Sequence, residues 1–184
     1  MQKIISLFQR NYDGDRLVRN EVVPGAEWVI NGEGVATRKW DGTCCMIKDG
    51  ELYKRYDAKK GKTPPDGFIP AQEPDEVTGH WPGWLIVDIN KKEDRWHIEG
   101  FNNTDINLLD NGTFELVGPK INGNAEDMER HVLIPHGSDV LVDTPRTFDE
   151  LKSWLSDKNI EGIVWHHPDG RMVKIKKKDF GLKR

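Results

Sequence analysis

Three of the chain's five Asp-Gly pairs, Asp41-Gly42, Asp49-Gly50 and Asp169-Gly170, each stand between runs in which apolar and polar residues alternate. Asp-Gly tolerates the positive φ that tight turns require, so pairs placed this way predict strands that reverse direction. Strand-like runs recur: "WVINGEGVATRKW", "GTCCMIKDG", "ELYKRYDA", "WLIVDIN", "RWHIEGF", "GTFELVG", "HVLIPHG", "GIVWHH" and "RMVKIKKK". Helical signals are fewer. "TFDE" reads as a capping box with Thr147 as N-cap and Glu150 three residues on; Phe148, Leu151, Trp154 and Leu155 then share one helical face, and Asn159 suits the stop. The stretch from Thr63 to Pro82, rich in proline and acids, predicts an ordered but irregular surface loop. The pattern predicts an α+β fold with mostly antiparallel sheets and few helices.

A length of 184 residues predicts a single domain over residues 1–184, large enough to bury a core without disulfides. The composition, 36% hydrophobic and 32% charged, fits a globular chain with a polar surface. The absence of a membrane-length apolar run and of a basic-then-apolar leader predicts a cytoplasmic, intracellular protein with no membrane partner. The only two cysteines, Cys44 and Cys45, are adjacent. Neighbours on a strand point to opposite faces, which disfavours a disulfide between them; a metal site needs more soft ligands than this pair, so packing is expected for at least one.

The net charge of −4 argues against indiscriminate electrostatic binding to nucleic acid. Its distribution is uneven. The C-terminal segment "RMVKIKKKDFGLKR" collects Arg171, Lys174, Lys176, Lys177, Lys178, Lys183 and Arg184. Alternation within it sends Val173 and Ile175 to one side of a strand and Lys174 and Lys176 to the other, so these two lysines line a surface.

Four separated elements carry the candidate chemistry: "KWDGT" (Lys39 to Thr43), "FELVG" with Glu115, "EGIVW" with Glu161, and "VKIKKKD" with Lys174 and Lys176. In this order they resemble the covalent nucleotidyltransferase superfamily, the ATP-dependent nucleic acid ligases and mRNA capping enzymes. "ATRKWDGTCC", "FELVGPKINGN" and "HVLIPHG" narrow the resemblance to small stand-alone RNA ligases with cellular and viral members.

The resemblance implies an ATP-grasp-related nucleotidyltransferase domain. It also implies an ATP-dependent RNA ligase acting on 5′-phosphate and 3′-hydroxyl ends, with Mg²⁺ or Mn²⁺ as cofactor. Lys39 is implied as the nucleophile that forms lysyl-AMP, with Lys174 and Lys176 on the α-phosphate. Glu115 is implied at the ribose hydroxyls and Glu161 at the metal. Arg38 and Arg55 are implied nucleotide contacts; Arg55 also suits the RNA 5′-phosphate, or an ordinary strand surface. Covalent catalysis by lysine needs a neutral amine, and neighbouring cations disfavour the charged form. Asp41 and Gly42 are expected to shape the turn.

Thr43 stands where many ligases carry an arginine, so that arginine's ribose contact must come from elsewhere or be absent. For the base, Ile134 offers an apolar lid and His136 a polar edge, or both simply pack in their strand. A monomer is expected. The chain ends soon after Lys178, with no length left for an OB-fold, which predicts that the domain holds RNA through its own lysines. Lys54, Arg55, Lys59, Lys60 and Lys62 would extend that surface, with modest, salt-sensitive affinity. The alternatives are a GTP-dependent capping-type guanylyltransferase and a nucleotide- or RNA-binding module without catalysis.

Overall fold

A computed structural model describes residues 4–76 and 78–184. In chain order the elements begin with β1 (Ile5–Ser6), β2 (Phe8–Arg10), β3 (Val18–Val22), α1 (Glu27–Ile30), β4 (Val35–Lys39), β5 (Thr43–Lys48) and β6 (Glu51–Ala58). They continue with β7 (Ile69–Pro70), β8 (Trp81–Ile86), α2 (Arg95–Asn103), β9 (Gly112–Val117), β10 (Val132–Pro135), α3 (Phe148–Ser156), β11 (Gly162–His166) and β12 (Met172–Lys176). The architecture is α+β with few helices. Apart from the parallel β1–β12 pair, the described strands pair antiparallel.

The described chain divides into two compact units, Asp41–His136 and Ile4–Trp40 with Gly137–Arg184. The first holds a six-stranded sheet in the order β10-β9-β5-β6-β8-β7. Cys45, Ile47, Leu52, Phe114, Leu116 and Leu133 point to one face of it and form its core, with Phe101 of α2 against them. The second holds a four-stranded sheet, β1-β12-β11-β4, and the small β2-β3 ribbon. Its core joins Ala36, Ile163, Trp165, Val173 and Ile175 to Leu151 and Leu155 of α3, both fully buried.

Most strand runs are where alternation puts them, with four differences. "RWHIEGF" is helical, in α2. The alternation of Trp96 and Ile98 imitates a strand, but the helix packs through Phe101 together with a glycine and polar side chains. A Cβ on Gly100 would lie 2.3 Å from the Leu116 side chain, and Thr104 Oγ1 accepts from Leu133 N at 2.8 Å. Asn103 Nδ2 donates to the His131 carbonyl at 3.1 Å. The start of "WVINGEGVATRKW" is helical too, in α1, and the eighth strand covers "WPGWLI" in place of "WLIVDIN". Within the expected loop from Thr63 to Pro82, Ile69–Pro70 and Trp81 join that sheet; Val77 lies outside the described residues.

Asp49-Gly50 is the expected tight hairpin, with φ of 53° and 80°. Asp41-Gly42 is no hairpin, because β4 and β5 belong to different sheets. Helix α3 forms over Phe148–Ser156, but the capping box does not: Thr147 Oγ1 donates to the Glu150 carboxylate at 2.6 Å instead of accepting from the backbone.

Candidate active site

Strand register places the first group of site residues. Gly162 on β11 pairs with Lys39 on one side and Lys176 on the other, and Val164 pairs with Thr37 and Lys174. Side chains of paired residues share a face, so Lys39, Lys174 and Lys176 project from the side opposite the core. On β12 the alternation is as expected: Val173 and Ile175 are buried in the core while Lys174 and Lys176 lie half-buried on the other face.

Gly162 is a packing requirement of that row. A Cβ there would lie 2.1 Å from the Ile175 carbonyl oxygen and 2.8 Å from Lys176 Cα, distances that backbone cannot yield to. The carboxylate comes from the preceding residue. Glu161 accepts from Lys39 Nζ on one oxygen at 2.6 Å and from Lys176 Nζ on the other at 2.6 Å. All three side chains are largely withdrawn from water, at 19%, 12% and 21% exposure for Lys39, Glu161 and Lys176. Asp179 fixes the end of the strand by accepting from Lys176 N at 2.9 Å and pairing with Arg10.

The electrostatics follow from that packing. Burial works to raise the Glu161 pKa, but the charges and hydrogen bonds of Lys39 and Lys176 outweigh it, and the net shift is downward. Lys174 is pushed down to about 8 by burial, then by the charges of Lys176 and Lys39, with Glu161 and Asp179 partly opposing. The group is therefore a fixed anion between two ammoniums, beside an amine that gives up its proton easily.

Of the other expected site residues, Arg38 is in the same unit and the rest belong to the unit of Asp41–His136. Arg38 alternates with Lys39 to the opposite face of β4, and its guanidinium lies 3.8 Å from the centre of the Trp40 ring. In the unit of Asp41–His136, Cys44, Glu115 and Ile134 form one row across β5, β9 and β10. Glu115 is buried; Oε1 accepts from Gly42 N at 3.1 Å and Oε2 faces His136 Nε2 at 2.9 Å. Asp41 and Gly42 do shape the turn: Asn122 Nδ2 donates to Asp41 Oδ1 and to the Gly42 carbonyl, each at 2.9 Å. A Cβ on Gly42 would lie 2.2 Å from the Leu116 carbonyl oxygen. Arg55 on β6 has its guanidinium 5.5 Å from the Trp84 ring centre and its Nε 3.3 Å from Asp57 Oδ1.

Of the C-terminal lysines, Lys177 is buried and donates to the Ser156 and Lys158 carbonyls at 3.2 and 2.7 Å, so it ties down the end of α3. Lys178, Lys183 and Arg184 are exposed. Among the described residues no helix is long and apolar enough to cross a membrane.

Comparison with known proteins points to one class. The RNA ligase 1 family profile matches residues 103–184. RNA ligase 1 of Pongo abelii is 31% identical over 219 aligned positions, which cover 80% of this chain and 67% of that protein. RNA ligase 1 of Danio rerio is 30% identical over 220 positions, and that of Rattus norvegicus 28% over 220, with the same coverage. The chain belongs to the RNA ligase 1 family.

Proposed function

We propose that this protein is an ATP-dependent RNA ligase that works through a lysyl-AMP intermediate on a nucleotidyltransferase domain, with Lys39 as the nucleophile. The observation that carries the reading is the Glu161 carboxylate held between Lys39 and Lys176, with Lys174 beside them, in a chain whose relatives are named RNA ligase 1.

In the first step Lys39 Nζ attacks the α-phosphorus of ATP. Lys39 gives one proton to solvent before it attacks; an N–P bond then forms, the bond to the pyrophosphate oxygen breaks, pyrophosphate leaves, and the nitrogen releases a second proton to solvent. Glu161 is the carboxylate in contact with that amine. Lys174 and Lys176 neutralise the phosphate oxygens as charge moves onto them, their places along β12 set by strand pairing. In the second step an oxygen of the RNA 5′-phosphate attacks the same phosphorus, the N–P bond breaks, and Lys39 departs as an amine, taking a proton from solvent. In the third, a 3′-hydroxyl attacks the activated 5′-phosphate and AMP leaves.

Magnesium or manganese suits this donor set. Each Glu161 oxygen accepts one lysine proton and keeps a lone pair for a hard cation or its water. Such an ion, held by Glu161, would screen the triphosphate. Glu115 is the proposed acceptor for the ribose hydroxyls, Ile134 beside it an apolar contact for the base, and Arg55 a further nucleotide contact; Arg38, on the face of β4 away from Lys39 and stacked on Trp40, does not suit the nucleotide contact expected of it.

The test is covalent labelling. Incubated with α-labelled ATP and magnesium, the protein should carry label through denaturation, and Lys39→Ala should fold and carry none. Labelling by GTP in preference to ATP would move the protein to capping chemistry. No label with either nucleotide would leave a binding module. Label persisting in Lys39→Ala would place the nucleophile elsewhere. With a labelled 5′-phosphorylated RNA, the same preparation should seal ends and release AMP.

A further inference from the structure

The adjacent cysteines have opposite fates. Cys45 is fully buried in the core of its unit, and burial, then the nearby Cys44 and Glu115, push its thiol well up. It stays a packed thiol. Cys44 turns to the other face, directly across from Glu115. His136 follows β10 on the same side, reaching Glu115 through Nε2 at 2.9 Å and Thr113 Oγ1 through Nδ1 at 3.0 Å. One sulfur, one carboxylate oxygen and one imidazole nitrogen, from Cys44, Glu115 and His136, all lie within 4.8 Å of one another.

We propose that Cys44, Glu115 and His136 form a three-ligand site for a thiophilic divalent ion of the zinc class, and that its occupancy excludes a nucleotide ribose from Glu115. The second half rests on the reading of Glu115 as the ribose acceptor.

The donor set fits in kind, number and spacing. Thiolate, imidazole and carboxylate are the side chains zinc takes, and three of them with an open fourth position is the arrangement of exchangeable sites. With metal–ligand distances of about 2.0–2.3 Å, ligand atoms around a tetrahedral ion stand about 3.3–3.6 Å apart. The Glu115–His136 contact must therefore open by about half an ångström and the sulfur close in, which side-chain torsions can supply. The three residues sit on three strands of one sheet or directly after one, so backbone pairing fixes their spacing. The outer partners are also present. Gly42 N holds the other Glu115 oxygen. Thr113 Oγ1 can accept from His136 Nδ1–H, which leaves the Nε2 lone pair for the ion, as metal-bound histidines require. Binding converts the Cys44 thiol to a thiolate and releases its proton to solvent. A sulfur ligand selects zinc or cobalt over magnesium, so the ion proposed for Glu161 does not compete here.

Cobalt(II) is the probe, since a cobalt–thiolate bond gives a charge-transfer absorption that oxygen and nitrogen ligands do not. Titrated with Co²⁺ in excess magnesium, the full chain should show this band, saturate at one ion per chain, and lose it when zinc is added. Cys44→Ser should abolish the band, His136→Ala should weaken binding by at least about tenfold, and Thr113→Val, which removes only the outer contact, by about tenfold. Lys39→Ala should bind cobalt as the wild type does. No band in the wild type, or a band that survives Cys44→Ser, overturns the site while the labelling of Lys39 stands untouched.

The exclusion is read with adenosine, which carries the ribose and no phosphate to chelate the ion. At about ten times its own Kd it should weaken cobalt binding about tenfold, and 2′,3′-dideoxyadenosine should not. Cobalt binding unmoved by adenosine overturns the exclusion.

Discussion

Two rows of residues across two sheets are built alike and charged differently. In one, Lys39, Gly162 and Lys176 cross three strands with Glu161 at the edge; in the other, Cys44, Glu115 and Ile134 cross three strands beside Gly42. Each includes a glycine whose Cβ space is filled by a neighbouring backbone carbonyl, and each holds one carboxylate withdrawn from water. The partners differ. Two ammoniums hold Glu161, whereas a backbone N–H and an imidazole hold Glu115. On the proposed reading the same functional group serves two tasks. Surrounded by cations, one sits in a field that attracts a polyanion. The other keeps lone pairs for neutral hydroxyls or a soft ion.

The sharpest way to break the comparison is to remove one negative charge from each row. Glu161→Gln leaves Lys39 and Lys176 without their shared anion and should lower the rate of lysyl-AMP formation by about 100-fold at saturating ATP. Glu115→Gln keeps an acceptor oxygen and should raise the KM for ATP by about tenfold with little change in the limiting rate, the mark of a binding contact. Single-turnover labelling across an ATP series separates the two. Equal effects on rate and KM in both variants would mean that the rows do not divide the work.

The next test treats the rows as alike. Gly162→Ala and Gly42→Ala each drive a methyl group onto a backbone carbonyl oxygen, at 2.1 and 2.2 Å. Neither carbonyl can swing aside without breaking strand pairing, so each variant should lose about 1–3 kcal/mol in urea unfolding. A neutral result at either position would show that its row tolerates a shift in register.

The sequence made the charged row easier to read than the other. Alternation in "MVKIKKK" separates Val173 and Ile175 from Lys174 and Lys176 without knowledge of any partner strand, and that separation is what the structure has. Nothing in "KIKKK" tells Lys177 from its neighbours. It leaves the strand pattern because the chain turns there into a short 3-10 segment, and its amine then meets the carbonyls that end α3. The grouping of Cys44 with His136 was legible only in part. Alternation sends the two cysteines to opposite faces, but the sequence does not give the pairing of β5 with β9, and that pairing sets Cys44 against Glu115. Helix α2 was missed for a related reason. Beside Phe101 its packed face depends on Gly100 and on side-chain hydrogen bonds to β10 and the residue before it, and hydrophobic period cannot register those.

The smallest expected effect is a pH dependence that belongs to the charged row alone. Lys174 has a folded-state pKa of about 8, below the ~10.4 of an unfolded chain. Between those values the unfolded state binds more protons, so stability rises with pH across that window. Below about 8 both states are protonated, and the fold carries the full cost of a partly buried ammonium beside two others. Lys174→Met keeps the length of the side chain and removes the charge. Allowing for solvent screening, it should be more stable than the wild type by about 1 kcal/mol at pH 7, with the gap closing as pH approaches 10. It should also form lysyl-AMP poorly, which would mark the wild-type lysine as retained for activity at the expense of stability. Glu161 runs the other way. Its lowered pKa contributes stability that is present above the ordinary carboxylate range and is lost as pH falls through the folded value, so Glu161→Gln should flatten the acid limb. Urea midpoints from about pH 2 to 10 read both limbs. If Lys174→Met stayed above the wild type by the same margin at pH 10, the gain would come from packing, and the charge difference between the two rows would not be what sets their stability.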